Sequence, residues 1–213
     1  MNLDDYLLKS GVRCRETLDY LIRNGFVTVN GRKVSYSRLP LGEKDRVEIL
    51  RESYMDAPAT FWKLKEMDES LGLIKVGDFV LDVESRDGGF ALYSARKKAN
   101  VTLVTIRDDL DFVKAEEVCI VRKNVILDEL EKFLPGRFDI VILELGFDVI
   151  KSMQLLEKIR PHIGSRGKLL MFLPEKGREN VKEMAEKMLL KQKLQAIEFL
   201  DARKGFYVYA KAV

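Results

Sequence analysis

The sequence of 213 residues has a single histidine, His162, and two cysteines, Cys14 and Cys119. One histidine excludes His-based nucleophilic triads and His-rich metal sites, and its place after Pro161 reads as a helix end with no functional role. The cysteines stand far apart without C-x-x-C spacing, which excludes a disulfide framework and a zinc site; both are expected to be buried thiols. No apolar run approaches the roughly 20 residues that cross a bilayer. The opening MNLDDYLLKSG also lacks the basic-then-apolar order of a secretory signal. A soluble, cytoplasmic protein without a membrane partner is expected. A large charge of one sign is missing too. Lys and Arg number 37 against 34 Asp and Glu, and a net charge of +3 identifies no partner by itself. Its distribution along the chain matters more.

What the chain does have is 46% hydrophobic and 33% charged residues, enough to bury a sizeable core. It divides near residue 50. Leu3, Tyr6, Leu7 and Leu8 recur at helical spacing and stop at Gly11; Leu18, Leu21 and Ile22 mark a second helix from about Arg15 that stops at Gly25. FVTVNGRKV then alternates apolar and polar residues about Asn30-Gly31, the dipeptide that best accepts the positive torsions of a tight hairpin. DRVEIL reads as a further strand, and residues 51–58, ending in Pro58, as a linker.

The run LDDYLLKSGVRCRETLDYLIRNGFVTVNGRKV resembles the ribosomal-protein-S4 type of RNA-binding domain over residues 1–50. That pattern pairs a short helix with a basic turn into a second helix and a V-x-V-N-G hairpin. The stretch presents Arg13, Arg15, Arg23, Arg32 and Lys33 with only Glu16 and Asp19 among them. Guanidinium groups clustered in this way suit the phosphates of structured RNA. The resemblance implies that Arg13, Arg15, Asn30, Arg32 and Lys33 lie nearest the RNA, while Asn2 stands where the family often has an arginine. The other reading of these charges is a solvated surface.

Residues 59–213 alternate strand and helix. Strands are predicted at 79–83, 101–106, 118–121, 138–145 and 168–173. Helices are predicted at Ala91 to Lys98, Ile126 to Phe133, Val149 to Ile159 and Glu179 to Lys191, followed by two strands about Lys204-Gly205. This is an α/β class with a Rossmann-like, mostly parallel sheet closed by an antiparallel hairpin. The segment ATFWKLKEMDESLGLIKVGDFVLDVESRDGGF resembles the FtsJ and hemolysin-A-like RNA methyltransferases, and the hemolysin-A-like branch also carries an S4-type domain first.

The resemblance implies S-adenosylmethionine as cofactor and structured RNA, such as rRNA or the ribosome, as partner. Asp82, Gly88 and Gly89 match the cofactor loop, and Glu84 replaces its glycine. Thr105 stands where an acid would hold the ribose hydroxyls, with Asp108 or Asp109 able to reach back. Of the families' lysine, acid, lysine and glutamate, Lys63 and Glu144 match the first two positions. Phe172 and Gly205 occupy the others, with Lys176 nearby. Each match has an ordinary explanation: Lys63 as a solvated lysine, Glu144 as a cap of the next helix, Gly88-Gly89 as a tight turn, Phe61 and Trp62 as core packing. Two functions remain open. One is an RNA-binding protein whose methyltransferase-like domain has partly lost its cofactor loop and catalytic set; the other is an active ribose 2′-O methyltransferase of rRNA.

Overall fold

The computed structural model of the chain describes all residues except 52–53, 111–112, 114–115, 135, 175–179 and 203. Helix α1 (Leu3–Lys9) and α2 (Arg15–Arg23) end where Gly11 and Gly25 take left-handed torsions. Strands β1 (Val27–Val29) and β2 (Arg32–Lys33) flank Asn30 and Gly31, which have φ of +54° and +76°. Positive torsions at both turn residues match the twist of the flanking strands, which explains the Asn-Gly pair. Strand β3 (Val47–Ile49) completes a small antiparallel sheet of order β2-β1-β3. Leu3, Leu7, Leu18, Leu21 and Val27 form its core.

The segment 54–58 is packed against this unit. Ala57 is fully buried, and its carbonyl accepts from the Thr17 hydroxyl at 2.5 Å. Helix α3 (Ala59–Leu71) follows and lays Trp62 flat on Tyr20 of α2, with centroids 3.9 Å apart. The indole N–H donates to Thr17 at 2.8 Å, and Tyr54 and Phe61 meet the same ring edge-on or tilted. Phe61 and Trp62 are thus packing residues. Stacked aromatics that also satisfy their polar atoms hold two elements in one orientation. Trp62→Ala is therefore expected to cost about 2 kcal/mol and to open residues 51–58 to protease. An unchanged denaturant midpoint and cleavage rate would show that the stack does not hold the two parts together.

The larger sheet has seven strands: β4 (Phe79–Val83), β5 (Asn100–Thr105), β6 (Cys119–Arg122), β7 (Phe138–Leu143), β8 (Ile163–Pro174), β9 (Leu194–Ala202) and β10 (Gly205–Ala212). Their order is β6-β5-β4-β7-β8-β10-β9, with only β10 antiparallel to its neighbours. Helices α3 and α4 (Gly89–Arg96) pack on one face, and α5 (Val149–Ile159) and α6 (Val181–Lys191) on the other. The Rossmann-like α/β class is as expected. Strand order reverses between β4 and β7, and the crevice over that point is where open α/β sheets bind ligands. None of the described helices is long and apolar enough to cross a membrane.

Two expectations are corrected. Residues 126–133 are not a helix: Asn124 Oδ1 accepts from the N–H groups of Ile126 and Leu127, Asp128 accepts from Asn124, and only a 3₁₀ turn at Leu130–Lys132 follows. Side chains that bond their own backbone compete with helix formation. Cys119 is exposed, because it begins an edge strand, and Cys14 is half-buried. The last helix, expected near Glu179 to Lys191, runs over Val181–Lys191; Glu179 lies outside the described residues.

Candidate active site

The carboxyl ends of β4, β5 and β7 bring the proposed residues together. Lys63 projects from α3 and donates to Glu144 Oε1 at 3.1 Å. Glu144 directly follows β7 and lies at the strand end beside the crevice. Asp148, and not Glu144, caps α5, accepting from the Lys151 N–H at 3.1 Å. A third group, absent from the sequence reading, joins the pair. Tyr207 of β10 accepts from Lys63 at 2.9 Å and donates to Glu144 Oε1 at 2.5 Å. Burial, followed by the Glu144 charge, raises the Tyr207 hydroxyl far above the ordinary tyrosine range, so it remains a neutral donor. Signals for Tyr207 in the sequence amount to its place two residues beyond Gly205.

Phe172 lies beside Tyr207 with centroids 5.2 Å apart and brings no charge. Gly205 has no room for a side chain: a Cβ there would stand 2.2 Å from the Leu173 carbonyl oxygen. Lys176 lies outside the described residues. The cluster is thus one lysine, one carboxylate and one phenol, with Glu144 Oε2 buried and unpartnered among the described residues.

Asp82, at the end of β4, is fully buried and accepts from the Ser85 hydroxyl at 2.6 Å. Its Oδ1 has no partner among the described residues. Burial, then the nearby Glu144 charge, pushes its pKa up to about 7, although the Ser85 bond opposes this. Gly88 takes φ +72° at the start of α4, the left-handed torsion that favours glycine. Gly89 is pressed against α3: a Cβ there would lie 2.3 Å from the Phe61 nitrogen. Asp87, unremarked in the sequence, binds the two helices by accepting from the N–H groups of Thr60 at 3.2 Å and Gly89 at 3.1 Å.

Glu84 explains why a glycine is usual at its position, since its φ is +57°. For a residue with a Cβ this costs about 1–2 kcal/mol. Two contacts hold it there: its N–H donates to the Val104 carbonyl at 2.9 Å, and Oε2 accepts from the Thr105 hydroxyl at 3.3 Å. Burial raises the Glu84 pKa, while the Thr105 hydroxyl, the Ile106 N–H and the Arg107 charge oppose it. Asp108 and Asp109 face elsewhere. Asp109 takes Arg107 at 2.9 and 2.5 Å, and Asp108, almost fully exposed, pairs with Arg122 at 3.4 Å.

In the first fifty residues, Arg13, Arg15, Asn30, Arg32 and Lys33 are all exposed. Arg15, Arg32 and Lys33 form no ion pair among the described residues. Asn30 spends both ends of its amide internally, donating to Asp45 at 2.7 Å and accepting from the Arg46 N–H at 3.0 Å. It pins the hairpin to the 42–46 turn.

No family model matches the chain. Two curated relatives match short stretches, both named ribosomal RNA large subunit methyltransferase E. The protein of Polaromonas naphthalenivorans is 55% identical over 47 residues, 22% of this chain and 18% of the relative. That of Polaromonas sp. JS666 is 38% identical over 71 residues, 33% of this chain and 29% of the relative. The chain therefore spans less than a third of either.

Solved structures match more of the length. A protein assigned as a hemolysin from Lactococcus lactis has a TM-score of 0.61 at 17% identity, over 73% of this chain and 88% of that one. Another from Streptococcus thermophilus has a TM-score of 0.59 at 14% identity, over 100% of this chain and 88% of that one. A TehB-like SAM-dependent methyltransferase from Corynebacterium glutamicum has a TM-score of 0.53 at 14% identity, over 73% and 98%. The large sheet has a methyltransferase fold.

Within that fold, the buried carboxylates of Asp82 and Glu144, each with one oxygen unpartnered among the described residues, complement the charge of a cationic ligand. The positive end of α4 at Gly88-Gly89 suits a carboxylate. This donor set fits S-adenosylmethionine, which carries both kinds of group. When bound, it would supply an electrophilic methyl group.

Proposed function

We propose that the protein binds structured RNA, such as ribosomal RNA, through an S4-type unit at residues 1–50. The methyltransferase-like domain of residues 59–213 would hold S-adenosylmethionine with methyl transfer weak or lost. The observation that carries the RNA reading is the set of exposed cations Arg15, Arg32 and Lys33, without ion-pair partners among the described residues, on the helix pair and hairpin. The names of the curated relatives support an RNA substrate. Reduced transfer rests on Phe172 and Gly205, which leave Lys63 as the one cation among the four catalytic positions. That lysine is already engaged by Glu144 and Tyr207.

Arg15→Ala with Arg32→Ala is expected to weaken binding to a structured RNA and to lower the slope of log affinity against log salt by about 1–2. An unchanged affinity and slope would remove this face from RNA recognition. The second reading, an active 2′-O methyltransferase, is favoured by the assembled Lys63–Glu144 contact. Transfer of labelled methyl to ribosomal RNA separates the two: no incorporation above a Lys63→Ala background is expected, and robust incorporation establishes the enzyme.

A further inference from the structure

Three carboxylates lie near the end of β5: Glu84, Asp108 and Asp109. Asp109 is held by Arg107 and Asp108 by Arg122, so both are turned to cations. Glu84 alone of the three bonds to Thr105. The Thr105 Oγ1 occupies the γ position of that side chain, the position from which an acid at 105 would extend its carboxylate. The Glu84 Oε2 lies 3.3 Å from it. A carboxylate therefore stands at the end of β5 although β5 does not supply one.

The surroundings keep it there. Thr105 is fully buried, and its hydroxyl oxygen also accepts from the Arg107 N–H at 3.1 Å. The Arg107 guanidinium crosses back to the Arg86 carbonyl at 2.7 Å, joining the loop after β5 to the loop after β4. Glu84 itself is half-buried, so the residue is not sealed from solvent. A carboxylate so placed accepts two hydrogen bonds from a vicinal diol, the means by which dinucleotide-binding sheets select ribose.

We propose that Glu84 is the ribose-binding residue of this crevice, its carboxylate transposed from the end of β5 to the loop after β4, and that it selects an adenosine-type ligand with free 2′ and 3′ hydroxyls. This rests on the cofactor reading above. Glu84 then recruits the ligand in place of the acid that β5 lacks. The left-handed torsion at Glu84 is the strain accepted to place the carboxylate.

Calorimetric titration with S-adenosylhomocysteine tests it on the full chain, Glu84→Gln and Glu84→Gly, with the 2′-deoxy analogue of the ligand alongside. The native chain is expected to bind, and both variants to bind about tenfold or more weakly, as loss of a charged hydrogen-bond acceptor predicts. The loss should shrink with the 2′-deoxy ligand. Glu84→Gly relieves the strained torsion and should melt no lower than the native chain, so weaker binding cannot be ascribed to unfolding. Equal or tighter binding by Glu84→Gly would overturn the assignment and make the side chain an obstruction, with the cofactor reading intact. No binding by any of the three chains would instead remove the cofactor reading, and this assignment with it.

Discussion

Gly205→Glu, which returns to the head of β10 the acid that the resemblance places there, is expected to unfold the protein and not to activate it. The Cβ alone decides this. It would lie 2.2 Å from the Leu173 carbonyl oxygen and 2.8 Å from the Pro174 Cα, both main-chain atoms of β8. Those atoms cannot retreat without breaking the ladder that pairs Gly205 with Pro174 and Phe206 with Leu173. Overpacking against side chains commonly costs about 1–3 kcal/mol, and against paired backbone the cost should reach at least the top of that range. Gly205→Ala should therefore fail nearly as badly as Gly205→Glu. Phe172→Lys, at a half-buried position, should be far better tolerated. Thermal unfolding by circular dichroism checks all three. A Gly205→Ala protein melting within a degree or two of the native chain would mean that β10 does not approach β8 so closely. The absence of a side chain at position 205 is thus built into the backbone packing, and one substitution there cannot supply a glutamate.

Stability should also fall as pH rises from about 4 to about 7, and Asp82→Asn should flatten that dependence. Asp82 has a folded pKa of about 7, against about 3.9 for an unperturbed aspartate. Between these values the folded chain retains a proton that the unfolded chain has released. Raising the pH therefore favours unfolding until the folded carboxyl also ionises. Above pH 7 the whole cost of a buried charge is present. Removing it should make the variant more stable than the native chain by a few kcal/mol, on the scale of about 1.4 kcal/mol per pKa unit. The asparagine oxygen can still accept from Ser85. Denaturant unfolding at pH 5 and pH 8 measures both slopes. A native chain equally stable at both values, or a variant that keeps the native slope, would place the titrating group elsewhere. A cationic ligand in the crevice should reduce the penalty, so saturation with S-adenosylmethionine, whose sulfonium is positively charged, is expected to stabilise the native chain more at pH 8 than at pH 5.

Several features could be read from local sequence because the forces behind them act over a few residues. The Asn30-Gly31 hairpin follows from which residues tolerate positive torsions. The β4 strand at 79–83 and the helix at 149–159 follow from unbroken apolar patterning and agree with the structure to the residue. Where the same reasoning failed, at 126–133, side-chain bonds from Asn124 and Asp128 outweighed a weak helical period. The likeness at Lys63, Asp82, Glu144 and Gly88-Gly89 could be read too, and the structure gathers these residues at the strand ends.

What the sequence determined by itself, then, is most of the alternation of strands and helices, the Asn30-Gly31 turn, and the identity of the side chains available to the crevice. Only the tertiary structure decided how those side chains are used. Tyr207 joins Lys63 across 144 residues of chain and Glu144 across 63. Glu84 meets Thr105 because parallel pairing sets the end of β4 beside the end of β5. Asp108 and Asp109 turn to arginines, and Asn30 to Asp45. Gly205 is barred from carrying a side chain by a strand that lies some thirty residues earlier in the sequence (~30, a spacing only the β8–β10 pairing makes meaningful). Periodicity and propensity report a residue's immediate neighbours along the chain, whereas burial, hydrogen-bond partners and available volume depend on segments that only folding brings together.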